Sequence, residues 1–251
     1  MAKKKSDGGF KEVIKTVVYA VLIALGIRTF LYEPFNIPSG SMMPTLLEGD
    51  YLFVSKFSYG YSRYTIAFGL DVFDGRILGG EPERGDVIVF MLPTDPSLDY
   101  IKRVVGLPGD RIQVSGGVLH INDEPVDREL IGEMSTRSDF GARQFGAIYV
   151  ETLPNGRRHY IREVSDSGRW DNTGVFEVPE GHYFVMGDNR DSSEDSRAIQ
   201  NDGQQPVGFV PLENIVGRAE FLWFSIEGGN FWNVWRWPSD IRWDRLFMAI
   251  E

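Results

Sequence analysis

Two neighbouring serines are the first side chains in this sequence that could carry out chemistry. They lie in the stretch IPSGSMMPTL, residues 37–46, where Ser39 and Ser41 flank Gly40. The prolines restrict the backbone, and the glycine lets another group approach closely. Taken alone, this pattern favours a turn over a catalytic loop. A serine nucleophile here needs an unusual base, because the sequence contains neither a GxSxG nor an SxxK motif.

Lysines are the candidates for an amine base, because arginine does not lose its proton in proteins. Beyond residue 31 the chain has two lysines, Lys56 and Lys102. Lys56 is predicted to be solvated at a strand exit. Alternation along a strand puts Lys102 and Arg103 on opposite faces, so the two cations need different partners. Burial among apolar groups would lower the pKa of Lys102 and make it a base; the alternative is a charged Lys102 paired with a carboxylate such as Asp99.

A third stretch rich in polar side chains is GDNRDSSEDSR, residues 187–197. Its composition is typical of a loop whose side chains bond nearby backbone amides. A calcium loop is the alternative, but the EF-hand spacing is missing and Arg190 and Arg197 would repel a cation. The chain has no cysteine and only three histidines, which argues against thiolate chemistry and a histidine-rich zinc site. We therefore expect no metal and no cofactor.

The N-terminus contains the element that would hold these side chains at a membrane. Residues 13–32 are apolar apart from two cations and two threonines, and about twenty helical residues cross a bilayer core. Residues 1–31 have a net charge of +4, which leaves −14 for the rest of the chain. The acidic body argues against a nucleic-acid partner, and the basic end favours a lipid bilayer with the lysines inside. The alternative, a cleaved secretion signal, lacks the small residues of a cleavage site.

Short runs of β-branched and aromatic residues predict an all-β body built mostly of antiparallel strands. These runs lie at residues 51–55, 86–90, 100–105 and 181–186. Short helices are expected only around Thr45 and at residues 210–216.

The chain is expected to divide into a membrane anchor, a catalytic core in two parts, a hairpin-rich insertion and a Trp-rich tail. Turn pairs such as Gly-Gly, Asn-Asp and Asn-Gly mark the insertion. In order, the segments are 1–32 (anchor), 33–114 (core), 115–178 (insertion), 179–226 (core) and 227–251 (tail).

Five of the six tryptophans lie from residue 223 onwards: Trp223, Trp232, Trp235, Trp237 and Trp243. These side chains are predicted either to meet the membrane interface or to close the core.

Together these stretches resemble the ordered sequence boxes of type I signal peptidases, also called leader peptidases. The resemblance covers the anchor and the segments 38–46, 49–54, 84–90, 99–110 and 187–197. It implies a Ser-Lys dyad with Ser41 as nucleophile and Lys102 as general base. It also implies an oxyanion-stabilising hydroxyl at Ser39 and a base-orienting hydroxyl at Ser193.

The resemblance further implies supporting ion pairs, an apolar cleft and a substrate. The ion pairs are Arg103 with Asp188 and Arg197 with Asp195. The substrate is the signal peptide of an exported preprotein, with small residues, usually alanine, at the first and third positions before the cut. Its side chains would enter shallow pockets whose walls match Phe35, Ile37, Leu46, Val89, Tyr100 and Ile101.

The location that the family implies is the bacterial inner membrane, crossed once, with the catalytic body on the periplasmic side. The chain departs from the family in three ways: one apparent span where some members have two, an insertion without a clear counterpart, and a long stretch at residues 198–207. Two rivals remain. A self-cleaving Ser-Lys repressor would need a DNA-binding module, and a membrane-tethered β-domain would bind or assemble without catalysis.

Overall fold

The computed structural model describes residues 7–65, 75–137, 143–198, 207–227 and 234–251. It begins with helix α1, Asp7–Phe30. Within it, Phe10–Phe30 has a mean hydropathy of 1.8, and no part of this span is buried against the body. Its 21 residues match the thickness of a bilayer core at about 1.5 Å of rise per residue.

The rest of the described chain is built mainly of strands, and every pairing between them is antiparallel. In chain order the strands are β1 Tyr32–Asn36, β2 Asp50–Ser55, β3 Tyr61–Ser62, β4 Arg76–Ile77, β5 Val87–Leu92, β6 Asp95–Gly106, β7 Arg111–Ser115, β8 Val118–Ile121, β9 Glu124–Pro125, β10 Asp127–Arg137, β11 Arg143–Thr152, β12 Arg158–Glu163, β13 Phe176–Glu177, β14 His182–Met186, β15 Val210–Pro211 and β16 Ile215–Ser225. A second helix, α2 Trp237–Asp240, lies near the C-terminus.

A seven-stranded sheet in the order β1-β2-β16-β5-β6-β14-β15 forms the centre of the molecule. It contains all four of the predicted strand runs. Alternate residues of β5 pack into cores on both faces, with Val87 and Val89 on one side and Ile88 and Phe90 on the other. The prediction of a mostly antiparallel β fold with one N-terminal apolar helix is confirmed.

The predicted insertion consists of hairpins. Strands β10, β11 and β12 form one sheet, and β13, β7, β8 and β9 form another. The turn pairs lie between paired strands: Gly116 and Gly117 join β7 to β8, and Asn122 and Asp123 join β8 to β9. All four have φ between 55° and 75°, a range that glycine adopts freely and Asn or Asp tolerates. The proposed boundary at residue 115 falls on the last residue of β7.

Neither of the two expected short helices forms as an α-helix. Around Thr45 the chain makes turns, with Leu46 N–H donating to Met42 O, and forms no helix. At residues 210–216 a single 3-10 turn, Leu212–Asn214, lies between β15 and β16. Pro211 precedes this turn, which is too short to become an α-helix because β16 begins at residue 215.

The tryptophans of the C-terminal region divide between the two predicted environments. Trp223 and Trp237 are half-buried, and both contact the ring of Phe224. Trp235 and Trp243 are 90% and 62% exposed. Trp232 lies outside the described residues.

Candidate active site

The loop between β1 and β2 carries Ser41. Its base is closed by two backbone hydrogen bonds, from Ile37 N–H to Asp50 O at 2.8 Å and from Gly49 N–H to Ile37 O at 3.0 Å. Ser41 is half-buried at the far end, whereas Ser39 is exposed. The loop thus offers both hydroxyls outside the main core.

Asn189 holds the other side of this loop. Its backbone N–H donates to Ser41 O at 3.1 Å, and its side-chain amide donates to Gly40 O at 2.8 Å. Arg162 in turn donates to the Asn189 amide oxygen at 2.9 Å. Asn189 was not predicted as a site residue; its only signal was its place in the polar loop at 187–197.

Lys102 lies on β6 directly beside the nucleophile loop. Its side chain is buried, at 3% exposure, and Nζ lies 2.8 Å from Ser41 Oγ. The same nitrogen donates to Ile101 O at 2.8 Å and lies 5.3 Å from the centre of the Tyr100 ring. Lys102 is not paired with Asp99, so the alternative of a charged lysine held by that carboxylate is wrong.

Burial lowers the pKa of Lys102 to about 8. The carboxylates of Asp195, Asp188 and Glu194 act in the opposite direction, but the loss of hydration outweighs them. At pH 7 about a tenth of such amines are neutral, compared with fewer than about one in a thousand for an exposed lysine. The site therefore holds an amine that can accept a proton near neutral pH.

Arg103, the next residue, points away from Lys102 and binds Asp188. Its Nε and Nη2 donate to the two carboxylate oxygens at 2.9 and 2.7 Å, with both side chains buried. Burial alone would raise the pKa of Asp188, but Arg103 holds it below the ordinary value. Asp188 also accepts a hydrogen bond from Thr45 Oγ1 at 2.5 Å, which ties β6 to the nucleophile loop. Thr45 was missed as a support residue because nothing local marks it.

The second expected ion pair lies within the polar loop itself. Arg197 Nε and Nη2 donate to Asp195 at 2.9 and 2.8 Å, and Gly187 N–H donates to the same carboxylate at 3.0 Å. These buried contacts fix the shape of the loop. Within the described ranges, no three His, Asp or Glu side chains are grouped to hold a metal ion.

The hydrogen bond implied between Ser193 and Lys102 is not formed. Ser193 is buried, and its hydroxyl has no hydrogen-bond partner in the part of the chain described here. A side chain at Gly187 would collide with that hydroxyl and lie 2.6 Å from Ser41 O. The close packing of three chain segments explains why glycine stands at 187.

A pocket of about 210 Å³ adjoins this site through Ile101, which lines the pocket and whose backbone oxygen accepts a hydrogen bond from Lys102 Nζ; neither Ser41 nor Lys102 lines the pocket. Five of the six predicted wall residues line this pocket: Phe35, Ile37, Val89, Tyr100 and Ile101. Asn36, Pro38 and Asp99 complete the lining. The sixth, Leu46, does not line it. Leu46 is fully buried in the core with Met42 and Leu52, because the turn after Met42 points its side chain inwards.

The prediction for Lys56 was also wrong. Lys56 is 2% exposed, its Nζ lies 2.7 Å from Glu33 Oε2, and it donates to Thr65 O at 2.6 Å. The carboxylate that compensates its charge comes from β1 and could not be inferred from the residues around position 56.

Comparison with known proteins identifies the family of the chain. The family model described as signal peptidase, peptidase S26 matches residues 10–224. Signal peptidase I of Rickettsia typhi is 42% identical over 255 residues, covering 98% of this chain and 90% of the relative. That of Rickettsia prowazekii is 43% identical over 254 residues, with the same coverage. A signal peptidase I structure from Enterococcus faecalis V583 is 26% identical, covering 55% of this chain and 97% of that one, with a TM-score of 0.32.

The matches first define a class: the chain is a serine endopeptidase, and its apolar N-terminal helix fits attachment to a membrane. More narrowly, the chain belongs to the signal peptidase family, peptidase S26.

Proposed function

We propose that this protein removes the signal peptides of exported preproteins with a Ser-Lys dyad, in which Ser41 attacks and Lys102 is the base. The observation that carries the proposal is the 2.8 Å separation between Lys102 Nζ and Ser41 Oγ. That distance is within the reach required of a base and the nucleophile that it activates.

The reaction follows from the neutral amine. Lys102 accepts the hydroxyl proton of Ser41 while Oγ bonds to the carbonyl carbon before the cut. The tetrahedral intermediate collapses as the new ammonium gives its proton to the departing amine of the mature protein. Lys102, neutral again, then activates a water molecule that hydrolyses the acyl-enzyme.

Ser39 and Ser193 take the supporting roles in this proposal. The exposed Ser39 hydroxyl and the Ser41 backbone N–H stabilise the oxyanion, and removing one such donor typically slows a reaction about 100- to 1,000-fold. The buried Ser193 hydroxyl lacks a hydrogen-bond partner among the described residues, so it is free to accept a hydrogen bond from the lysine when that becomes charged.

The signal peptide binds as an extended strand between β1 and β6. Within the described structure β1 pairs only with β2, and residues 95–102 of β6 pair only with β5, so each has a free edge for backbone hydrogen bonds. The pocket of about 210 Å³ is small and largely apolar, which suits alanine at the first and third positions before the cut.

The cell context proposed is the bacterial inner membrane with the catalytic body in the periplasm. The support is the apolar helix at Phe10–Phe30 and the excess of lysine and arginine in residues 1–31, which favours a cytoplasmic N-terminus.

The test is cleavage of a model preprotein by the full chain in detergent. We expect Ser41→Ala and Lys102→Met each to lower kcat by at least about 10⁴-fold, because members of such a unit fail together. Ser167→Ala, an exposed serine in the insertion, is the matched control and should cleave at the wild-type rate. Equal cleavage by all these proteins would leave the tethered, non-catalytic β-domain as the better account.

A further inference from the structure

One charged side chain lines the otherwise largely apolar pocket beside the dyad. Asp99 lies on β6 two residues before Ile101, so both side chains project from the same face of the strand. Asp99 shares the pocket lining with Phe35, Pro38 and Ile101. A carboxylate in this position faces whatever enters the pocket.

Lys56, the cation whose charge acts on Asp99, is already engaged by another acid. Glu33 is 17% exposed, and its carboxylate lies 2.7 Å from Lys56 Nζ and 2.9 Å from Arg28 Nη2. In contrast, Asp99 is exposed, and its carboxylate forms no hydrogen bond or ion pair with any residue that the structure describes. Its charge is thus left for a partner outside the chain.

The surroundings of Asp99 make such a partner favourable. Burial of part of the carboxyl raises its pKa, and the nearby negative charge of Glu33 raises it further, whereas Lys56 opposes the shift. An incoming cation would relieve both unfavourable effects, and an incoming anion would add to them.

Given the proposed function, the location defines which part of the substrate Asp99 meets. Lys102 stands beside the bond that is cut, and Asp99 precedes it by three residues on β6. A substrate strand that runs parallel to β6 passes Asp99 before it reaches the dyad. Asp99 therefore meets side chains upstream of the cut and not those of the mature protein.

We propose that Asp99 is a specificity-determining residue, which favours signal peptides with a lysine or arginine a few residues before the cut and disfavours aspartate or glutamate there. The charge acts on the choice of substrate and not on the chemical step, which belongs to Ser41 and Lys102.

The experiment measures kcat/KM for the full chain in detergent on a peptide set. Each position from the second to the sixth before the cut carries lysine, glutamine or glutamate in turn. The first position is always alanine, and the third is alanine in every peptide in which another position is varied. At one upstream position we expect lysine to exceed glutamate by about tenfold in low salt and by less in high salt. Asp99→Asn should bring that ratio close to one, Asp99→Glu should keep it, and Asp99→Lys should invert it.

The matched control is Asp123→Asn, which removes the same charge from an exposed turn of the insertion and should leave the ratio unchanged. A wild-type enzyme without charge preference, or a preference that survives Asp99→Asn, would overturn the inference. The glutamine peptide separates the two proposals. If wild type cleaves it and neither Ser41→Ala nor Lys102→Met does, the dyad stands whatever the charge ratios show; if either variant also cleaves it, the proposed function itself fails.

Discussion

Lys102 is buried without an ion-pair partner among the described residues, which is costly for a charged amine. Its nitrogen touches only oxygens of Ser41 and Ile101, and the acids that favour its charge act from farther away. A fold keeps such a group against its hydration preference only when other interactions hold it there. The neighbouring Arg103, fixed by Asp188, supplies that restraint on β6.

Replacing Lys102 with methionine should therefore stabilise the protein at neutral pH. The folded-state pKa, about 8, lies below the ordinary value of 10.5, so the destabilisation is fully present below pH 8 and is relieved as the pH rises from 8 to 10.5. At pH 7 we expect Lys102→Met to increase the free energy of unfolding by up to about 3 kcal/mol.

Denaturant unfolding of the two proteins at pH 7 and pH 10 checks this. The difference in stability should shrink at the higher pH. A Lys102→Met protein that is less stable than wild type at pH 7 would mean that the ammonium is well accommodated by its surroundings.

At the scale of elements, the C-terminal segment is fastened to the nucleophile loop. Arg245 donates to Asp50 Oδ2 at 2.6 Å and to Thr45 O at 2.9 Å, four residues from Ser41. Asp50 is fully buried, and its backbone carbonyl closes the base of the loop. The tail thus supports the loop at Thr45, the residue whose hydroxyl donates to Asp188.

Arg245→Met should weaken both the fold and catalysis. Because it leaves the Asp50 carboxylate buried with a weaker partner, we expect a loss of about 2 kcal/mol in the free energy of unfolding. We also expect kcat to fall more than KM rises, because the loop positions the nucleophile. Arg111→Met, which breaks an exposed ion pair in the insertion, is the control and should change stability by less than about 0.5 kcal/mol. An Arg245→Met enzyme with normal kcat would refute the coupling.

The strands were predictable from sequence because their signals are local. Runs such as residues 51–55 and 86–90 combine β-branched and aromatic residues between turn formers, and the turn pairs of the insertion require positive φ. The contacts that complete the site are not local. Thr45 with Asp188 and Lys56 with Glu33 join segments whose meeting depends on the sheet order, so Thr45 was missed and Lys56 was predicted wrongly.

At the scale of the whole molecule, aromatic side chains extend from the anchor helix across one edge of the central sheet. Helix α1 leads into β1, the edge strand, where Tyr32 contacts the rings of Phe53 and Phe57. The ring contacts continue across β2 and β16 to Trp237 in α2: Phe53 with Phe221 and Trp223, Trp223 with Phe224, and Phe224 with Trp237. Beyond them, Trp235, Trp243 and Phe247 are exposed.

We expect this aromatic surface to rest on lipid and to hold the site close to the membrane, since indole rings favour the interface. A variant lacking α1, with residues 1–30 removed, should float with anionic liposomes. Replacing both Trp235 and Trp243 with alanine should reduce the floated fraction several-fold, because both side chains are exposed. A body that never floats, even with both tryptophans present, would leave α1 as the sole attachment.

The proposed mechanism requires Lys102 to be an amine that can lose its proton near neutral pH while it lies against Ser41. The most direct measurement is an NMR titration of the full chain in detergent micelles with ¹³C-labelled lysine, in which the Lys102 signal is assigned by its disappearance in Lys102→Arg. We expect a midpoint near pH 8. A midpoint at or above the ordinary lysine value of 10.5 would contradict it, because the amine would then stay charged where the enzyme has to work.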